Sequence, residues 1–73
     1  MDEVVFKKQL GELLRRYRKQ KLMTIEEVAN KINIDDKHLG RIERGQYNIS
    51  AYSLFKLIHV LEIHDDVFHL IKH

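Results

Sequence analysis

Apolar residues first recur at helical spacing between positions 6 and 17, where Phe6, Leu10, Leu13, Leu14 and Tyr17 fall three or four residues apart. A stripe of this kind runs along one side of an α-helix and predicts an amphipathic first element. Lys7, Lys8, Arg15, Arg16 and Lys19 occupy the opposite face. The rhythm stops at "KLM" and restarts at Thr24. There "TIEE" forms a capping box: the threonine oxygen accepts from the backbone of Glu27, whose carboxylate reaches back to the cap. Val28, Ala29 and Ile32 then give a short apolar face.

"NID" interrupts this second helix. Asn33 tolerates the left-handed backbone of a tight turn, and Asp35 is read as the next N-cap, its side chain accepting a backbone N–H. Leu39 and Ile42 supply the buried side of a third helix, which Gly45 ends. After the loop "QYNI", Ser50 caps a fourth helix over 51–61 with Leu54, Leu57, Ile58 and Leu61 inward. "EIH" is a turn, and "DDVFHLIKH" a fifth helix at about 65–72. Proline is absent, and the 3 glycines are read as punctuating little. No strand alternation, repeat or low-complexity segment is visible. The pattern predicts an all-α bundle of five short helices forming a single domain over residues 1–73.

Composition narrows the setting. With no cysteine, disulfides and thiolate metal sites are excluded. No apolar run approaches the ~20 residues that span a bilayer, and the N-terminus does not read as a signal peptide, so no membrane partner and a cytoplasmic location are expected. The net charge is only +2, but residues 7–44 hold 11 Lys or Arg against 6 Asp or Glu, a surplus of +5. The remainder holds 2 against 5, or −3. A basic front half on an acidic back half hints at a polyanionic partner; a mixed-charge surface is the plainer alternative.

The spacing of the second and third helices points further. Two short helices joined by a three-residue turn, with small Ala29 permitting close approach, meet the geometric demand of a helix-turn-helix, here about 24–44. The stretch "LLRRYRKQKLMTIEEVANKINIDDKHLGRIERGQYNISAYSLFKLIHVLEI" resembles the lambda-repressor/Cro-type (XRE) helix-turn-helix family, with Arg18, "TIEEVA", "LGRIERG", "QYN" and "LFKLIHVL" at the matching places. The resemblance covers about residues 10–64. It implies a five-helix lambda-repressor-like domain whose third helix enters the DNA major groove. Compact length and "RGQYNIS" also resemble the controller proteins of restriction–modification systems, although a phage or plasmid regulator fits equally.

What the resemblance implies can be set out residue by residue. Arg18 and Glu43 correspond to a partly buried ion pair tying the first helix to the third. Thr24 stands where family members meet a phosphate. Asp36, Lys37 and Arg41 fall at base-facing positions, with His38 beside them, Arg44 in the same basic run, and Gln46, Tyr47 and Asn48 in a phosphate-contacting loop. Ile25 replaces the family's glutamine after the cap and is expected neither to donate to phosphate nor to brace the third helix. Leu22 replaces a glycine and is expected to impose a different exit from the first helix. Asp36 reads either as an acceptor for cytosine N4 or as a first-turn charge. Gly40 reads either as a point of close backbone approach to DNA or as an ordinary solvent position, at ~1 kcal/mol of helix propensity.

Other chemistry finds less support. His69 and His73 are four apart but lack a third ligand fixed by spacing, so no metal site is expected. No nucleophile–base pair or phosphate-cradling glycine loop points to an enzyme, and no cofactor or small-molecule ligand is evident. Val60, Ile63, Val67, Phe68 and Ile71 exceed what so small a bundle buries easily and are read as a homodimer face. The expectation is a homodimeric regulator binding double-stranded palindromic DNA. The alternative is a protein-interaction module, or the N-terminal domain of a longer regulator, that does not itself read DNA.

Overall fold

The structure is a computed structural model that describes residues 2–64. The fifth helix expected at about 65–72, with Val67, Phe68, His69, Ile71 and His73, lies outside the described residues. Among these the regular structure is helical: α1 (Glu3–Gln20), α2 (Ile25–Ile32), α3 (Asp36–Glu43) and α4 (Ala51–Leu61). α3 packs against both α1 and α2, while α4 packs chiefly on α2. The core is built from Leu10, Leu13 and Leu14 of α1, Val28 and Ile32 of α2, Leu39 and Ile42 of α3, and Leu57 and Leu61 of α4. Each set follows the helical period of its own segment, so one stripe per helix suffices to close the interior.

Three of the four helices begin with a side-chain cap. Asp2 accepts from the Val5 N–H at 2.9 Å, Thr24 from that of Glu27 at 3.1 Å, and Ser50 from that of Ser53 at 3.1 Å. Asp35 corrects the sequence reading. It occupies the N-cap position of α3 but makes no side-chain capping bond. Its ψ of 137° lies below the 154–167° of the three capping residues. What remains is the favourable placement of a negative charge at the helix N-terminus.

All four helices end the same way. A residue in the left-handed region follows the last turn, and two backbone bonds close back onto it, the Schellman arrangement. After α1, Leu22 N–H reaches Lys19 O at 3.0 Å and Met23 N–H reaches Arg18 O at 3.2 Å. Asn33 and Ile34, Gly45 and Gln46, and Glu62 and Ile63 repeat the pair after α2, α3 and α4. The left-handed residues are Leu22 (φ 57°), Asn33 (59°), Gly45 (77°) and Glu62 (54°). Leu22 therefore does not impose a different exit. It adopts the glycine-like conformation itself, because the paired bonds of the α1 terminus hold the backbone there.

Leu22 is also 91% exposed, so no packing offsets its strained backbone. A side chain in the left-handed region costs roughly 1–2 kcal/mol, and glycine's greater freedom in the unfolded chain returns roughly half of that. Leu22→Gly should therefore stabilise the protein by about 0.5–1 kcal/mol in a urea titration. A lower midpoint would show that Leu22 holds a contact absent from this account.

The glycines matter more than their sequence context suggests. Gly11, buried in α1, lies so close to the end of α3 that an added Cβ would stand 2.5 Å from Ile42 O and 2.6 Å from Glu43 O. Gly45 would place a Cβ 2.9 Å from the Lys8 Cα, so the turn after α3 lies directly on α1. α4 is tied to α2 by Lys56, whose ammonium donates to the otherwise unpaired Ile32 carbonyl and lies 4.4 Å from the centre of the Tyr52 ring. Lys21 pairs with Glu62 across the ends of α1 and α4, and that bond holds the Glu62 carboxyl below its ordinary range.

Candidate nucleic-acid interface

Helical spacing alone places Lys37, Arg41 and Arg44 along one line of α3, opposite Leu39 and Ile42. All three are exposed and make no hydrogen bond or ion pair among the described residues. Asp36 and His38 flank the line, each half-buried. The outward face thus carries three unneutralised cations beside one carboxylate at the helix N-terminus.

A buried ion pair fixes the orientation of this face. Arg18 of α1 donates from Nε to Glu43 Oε2 at 2.8 Å and from Nη2 to Oε1 at 3.0 Å, a bidentate grip. Its remaining nitrogen, Nη1, donates to Met23 O at 3.0 Å. One guanidinium therefore joins α1, the turn leading into α2, and the last residue of α3. The hydrogen bonds to Glu43, opposed by burial, raise the Arg18 pKa above the ordinary arginine value. The two side chains are only 12% and 5% exposed.

At the start of α2 the capping box is complete: Thr24 N–H donates to Glu27 Oε1 at 2.8 Å while the threonine oxygen accepts from Glu27 N–H. The backbone bond from Thr24, then the one involving its hydroxyl, depresses the Glu27 pKa. This stabilisation is present above the ordinary glutamate range and fades only as pH falls through the lowered value. Because Thr24 Oγ1 only accepts here, its own hydroxyl hydrogen stays available to a phosphate, as do the N–H groups of Ile25 and Glu26 in the first turn.

Ile25 and Gly40 need correcting together. Ile25 is half-buried against the core, and its Cδ1 lies 3.6 Å from where a Cβ on Gly40 would stand. It does brace α3, by packing instead of hydrogen bonding. Gly40 is correspondingly buried, with Arg44 Nη1 at 3.3 Å from the same point, so it is not an open solvent position. Arg15, Arg18, Ile25, Gly40, Glu43 and Arg44 together line a shallow cavity of about 190 Å³ at the α1–α2–α3 junction.

The loop after α3 divides. Gln46 and Tyr47 are exposed beside the α3 face. Asn48 turns away, its amide donating to the Glu3 carboxylate at the start of α1. On the expected dimer face, Ile63 is 5% exposed and belongs to the core, while Val60 is partly buried against it. The apolar surface that α4 presents outward is instead Tyr52, 72% exposed, and Phe55, 64% exposed. Sequence reading passed over both because it searched the inward stripe. No group of three metal-ligating side chains occurs among the described residues, and no helix among them is long and apolar enough to cross a membrane.

Comparison with known proteins agrees with this geometry. The helix-turn-helix family profile matches residues 14–68. The crystal structure of the restriction-modification controller protein C.AhdI from Aeromonas hydrophila is similar at 35% identity, covering 86% of this chain and 89% of that one, with a TM-score of 0.72. Two point mutants of the controller protein C.Esp1396I align at 30% and 31% identity, over 97% and 96% of this chain and 92% and 87% of theirs, with TM-scores of 0.74 and 0.76. No curated protein matches significantly.

Proposed function

Because the chain belongs to the helix-turn-helix family, we propose that it is a sequence-specific DNA-binding transcriptional regulator that inserts α3 into the major groove. The observation that carries this reading is the α3 face itself. Lys37, Arg41 and Arg44 stand without a carboxylate partner among the described residues, along α3 and its C-cap, and the helix is locked from behind by Arg18 and Glu43. Arg41 is assigned to a base edge, where a guanidinium meets guanine O6 and N7 bidentately. Asp36 fits cytosine N4 from the same face. Arg44, Thr24, Gln46 and the hydroxyl of Tyr47 are assigned to phosphates, and His38 to the border between the two sets. Asn48 acts indirectly, by anchoring the loop to Glu3.

A helix this short reads few base pairs, which favours two copies on a palindrome, half-sites one turn of duplex apart. The exposed Tyr52 and Phe55, with the partly buried Val60, supply apolar surface for that pairing. The likeness to restriction-modification controller proteins supports a role in such a system, with the cytoplasm as the location.

The test is duplex binding measured against salt and sequence. Wild-type protein should bind a selected palindrome as two chains per duplex, with affinity falling about a thousandfold between about 50 and 200 mM salt. Arg41→Ala should keep the helix content and lose ~1–3 kcal/mol of discrimination at one base pair per half-site. An absence of low-salt binding to any duplex would leave a protein-interaction module as the surviving reading.

A further inference from the structure

Tyr47 lies outside α3, yet its ring touches two of that helix's outward side chains. Its centroid is 5.7 Å from that of His38, the rings at 64° in an edge arrangement. The guanidinium carbon of Arg41 is 5.8 Å from the same centroid, within the distance over which an aromatic face attracts a cation. His38 and Arg41 are three residues apart and therefore neighbours on the helix surface. The ring spans both.

The backbone explains this placement. Gly45, at φ 77°, reverses the chain, and the Gln46 N–H then closes on Arg41 O at 2.9 Å. The next residue is Tyr47, so its main chain hangs from the residue whose side chain its ring meets. The Tyr47 hydroxyl has no hydrogen-bond partner among the described residues. The ring is the engaged part, and the residue as a whole stays 49% exposed.

We propose that Tyr47 is a positioning residue for base recognition: its ring holds the Arg41 guanidinium, with His38 at its edge, in one arrangement before DNA arrives. A long flexible side chain loses several rotors on binding, and partial immobilisation beforehand lowers that loss and sharpens the geometry of the two-pronged guanine contact. The inference rests on the proposed DNA-binding role and assigns the ring a part in specificity, in addition to the phosphate contact assigned to the hydroxyl.

The experiment compares wild-type, Arg41→Ala, Tyr47→Ala and Tyr47→Phe in selection from a randomised duplex pool. The readout is the base pair whose preference Arg41→Ala abolishes. Tyr47→Ala should reduce discrimination there about two- to fivefold, the size of an exposed cation–π contact. Tyr47→Phe should restore it, since the ring is kept. In the DNA-free protein, the Arg41 Nε–H resonance should be shifted by the ring in wild-type and Tyr47→Phe and return towards a random-coil position in Tyr47→Ala. The proposal fails if Tyr47→Ala retains full selectivity at that base pair, or if Tyr47→Phe loses as much as Tyr47→Ala. If the wild-type chain selects no duplex, the DNA-binding reading itself falls and the proposal with it.

Discussion

Gly11→Ala is expected to lower the melting temperature by roughly 12–24 °C. Alanine ordinarily gains ~1 kcal/mol over glycine inside a helix. Here the added carbon would stand 2.5 Å from one carbonyl oxygen of α3 and 2.6 Å from the next, and both belong to backbone that cannot rotate aside. α1 and α3 would have to separate, loosening the Leu10, Leu14 and Ile42 packing and stretching the Arg18–Glu43 grip. Overpacking of this severity lies at or beyond the upper part of the usual 1–3 kcal/mol range. We take about 3 kcal/mol net, against a total of about 4–11 kcal/mol for a chain of this length. Thermal circular dichroism reads it directly. A variant melting within a few degrees of wild type would mean that α1 and α3 can part at little cost.

The second large effect concerns Glu43. Glu43→Ala leaves the Arg18 guanidinium, 12% exposed, with only Met23 O as partner. Losing one member of a buried pair costs about 3–5 kcal/mol, and partial access of water to Arg18 places this case near 3. Replacing both residues by apolar ones, Arg18→Met with Glu43→Leu, should recover most of that stability, because neither charge then remains buried. Urea titrations of Arg18→Met, Glu43→Leu and the double variant form a cycle in which the singles are far from additive. Additive losses would contradict the pair's dependence on mutual neutralisation. Since the bidentate bond aims α3, the double variant should fold well and, under the proposed DNA-binding role, bind the selected duplex less tightly.

Features encoded within a few neighbouring residues were legible in the sequence. The Thr24–Glu27 box and the Ser50 cap each lie within four residues, and they mark the starts of α2 and α4 directly. The outward line of Lys37, Arg41 and Arg44 follows from helical period once α3 is placed. Features that depend on distant partners were not. Gly11 looks like a dispensable helix interruption until Ile42 and Glu43 arrive beside it. Ile25 looks like a lost hydrogen-bond donor until Gly40 is found beneath it. Asn48 belongs by sequence to a phosphate-facing loop, but Glu3 holds it. The helix ends fall between these cases. Leu22 and Glu62 occupy left-handed positions that no residue preference announces, since the closing backbone bonds fix them. Asp35 failed in the opposite sense, having the right identity and position but no side-chain capping bond.

The uniform helix endings also bear on how quickly the chain organises itself. Each stop is completed within six consecutive residues, as from Arg18 to Met23, so a helix terminates without waiting for a tertiary partner. Helix growth and local loop closure run on nanosecond to microsecond scales. The slower event is the encounter of α1 with α3, where Arg18 must find Glu43, 25 positions away, and Gly11 must slide under the Ile42 and Glu43 carbonyls. Topologies dominated by local contacts of this kind fold in microseconds to milliseconds. The face that α3 presents is therefore aimed only when the Arg18–Glu43 pair closes, a long-range step that local helix endings do not supply.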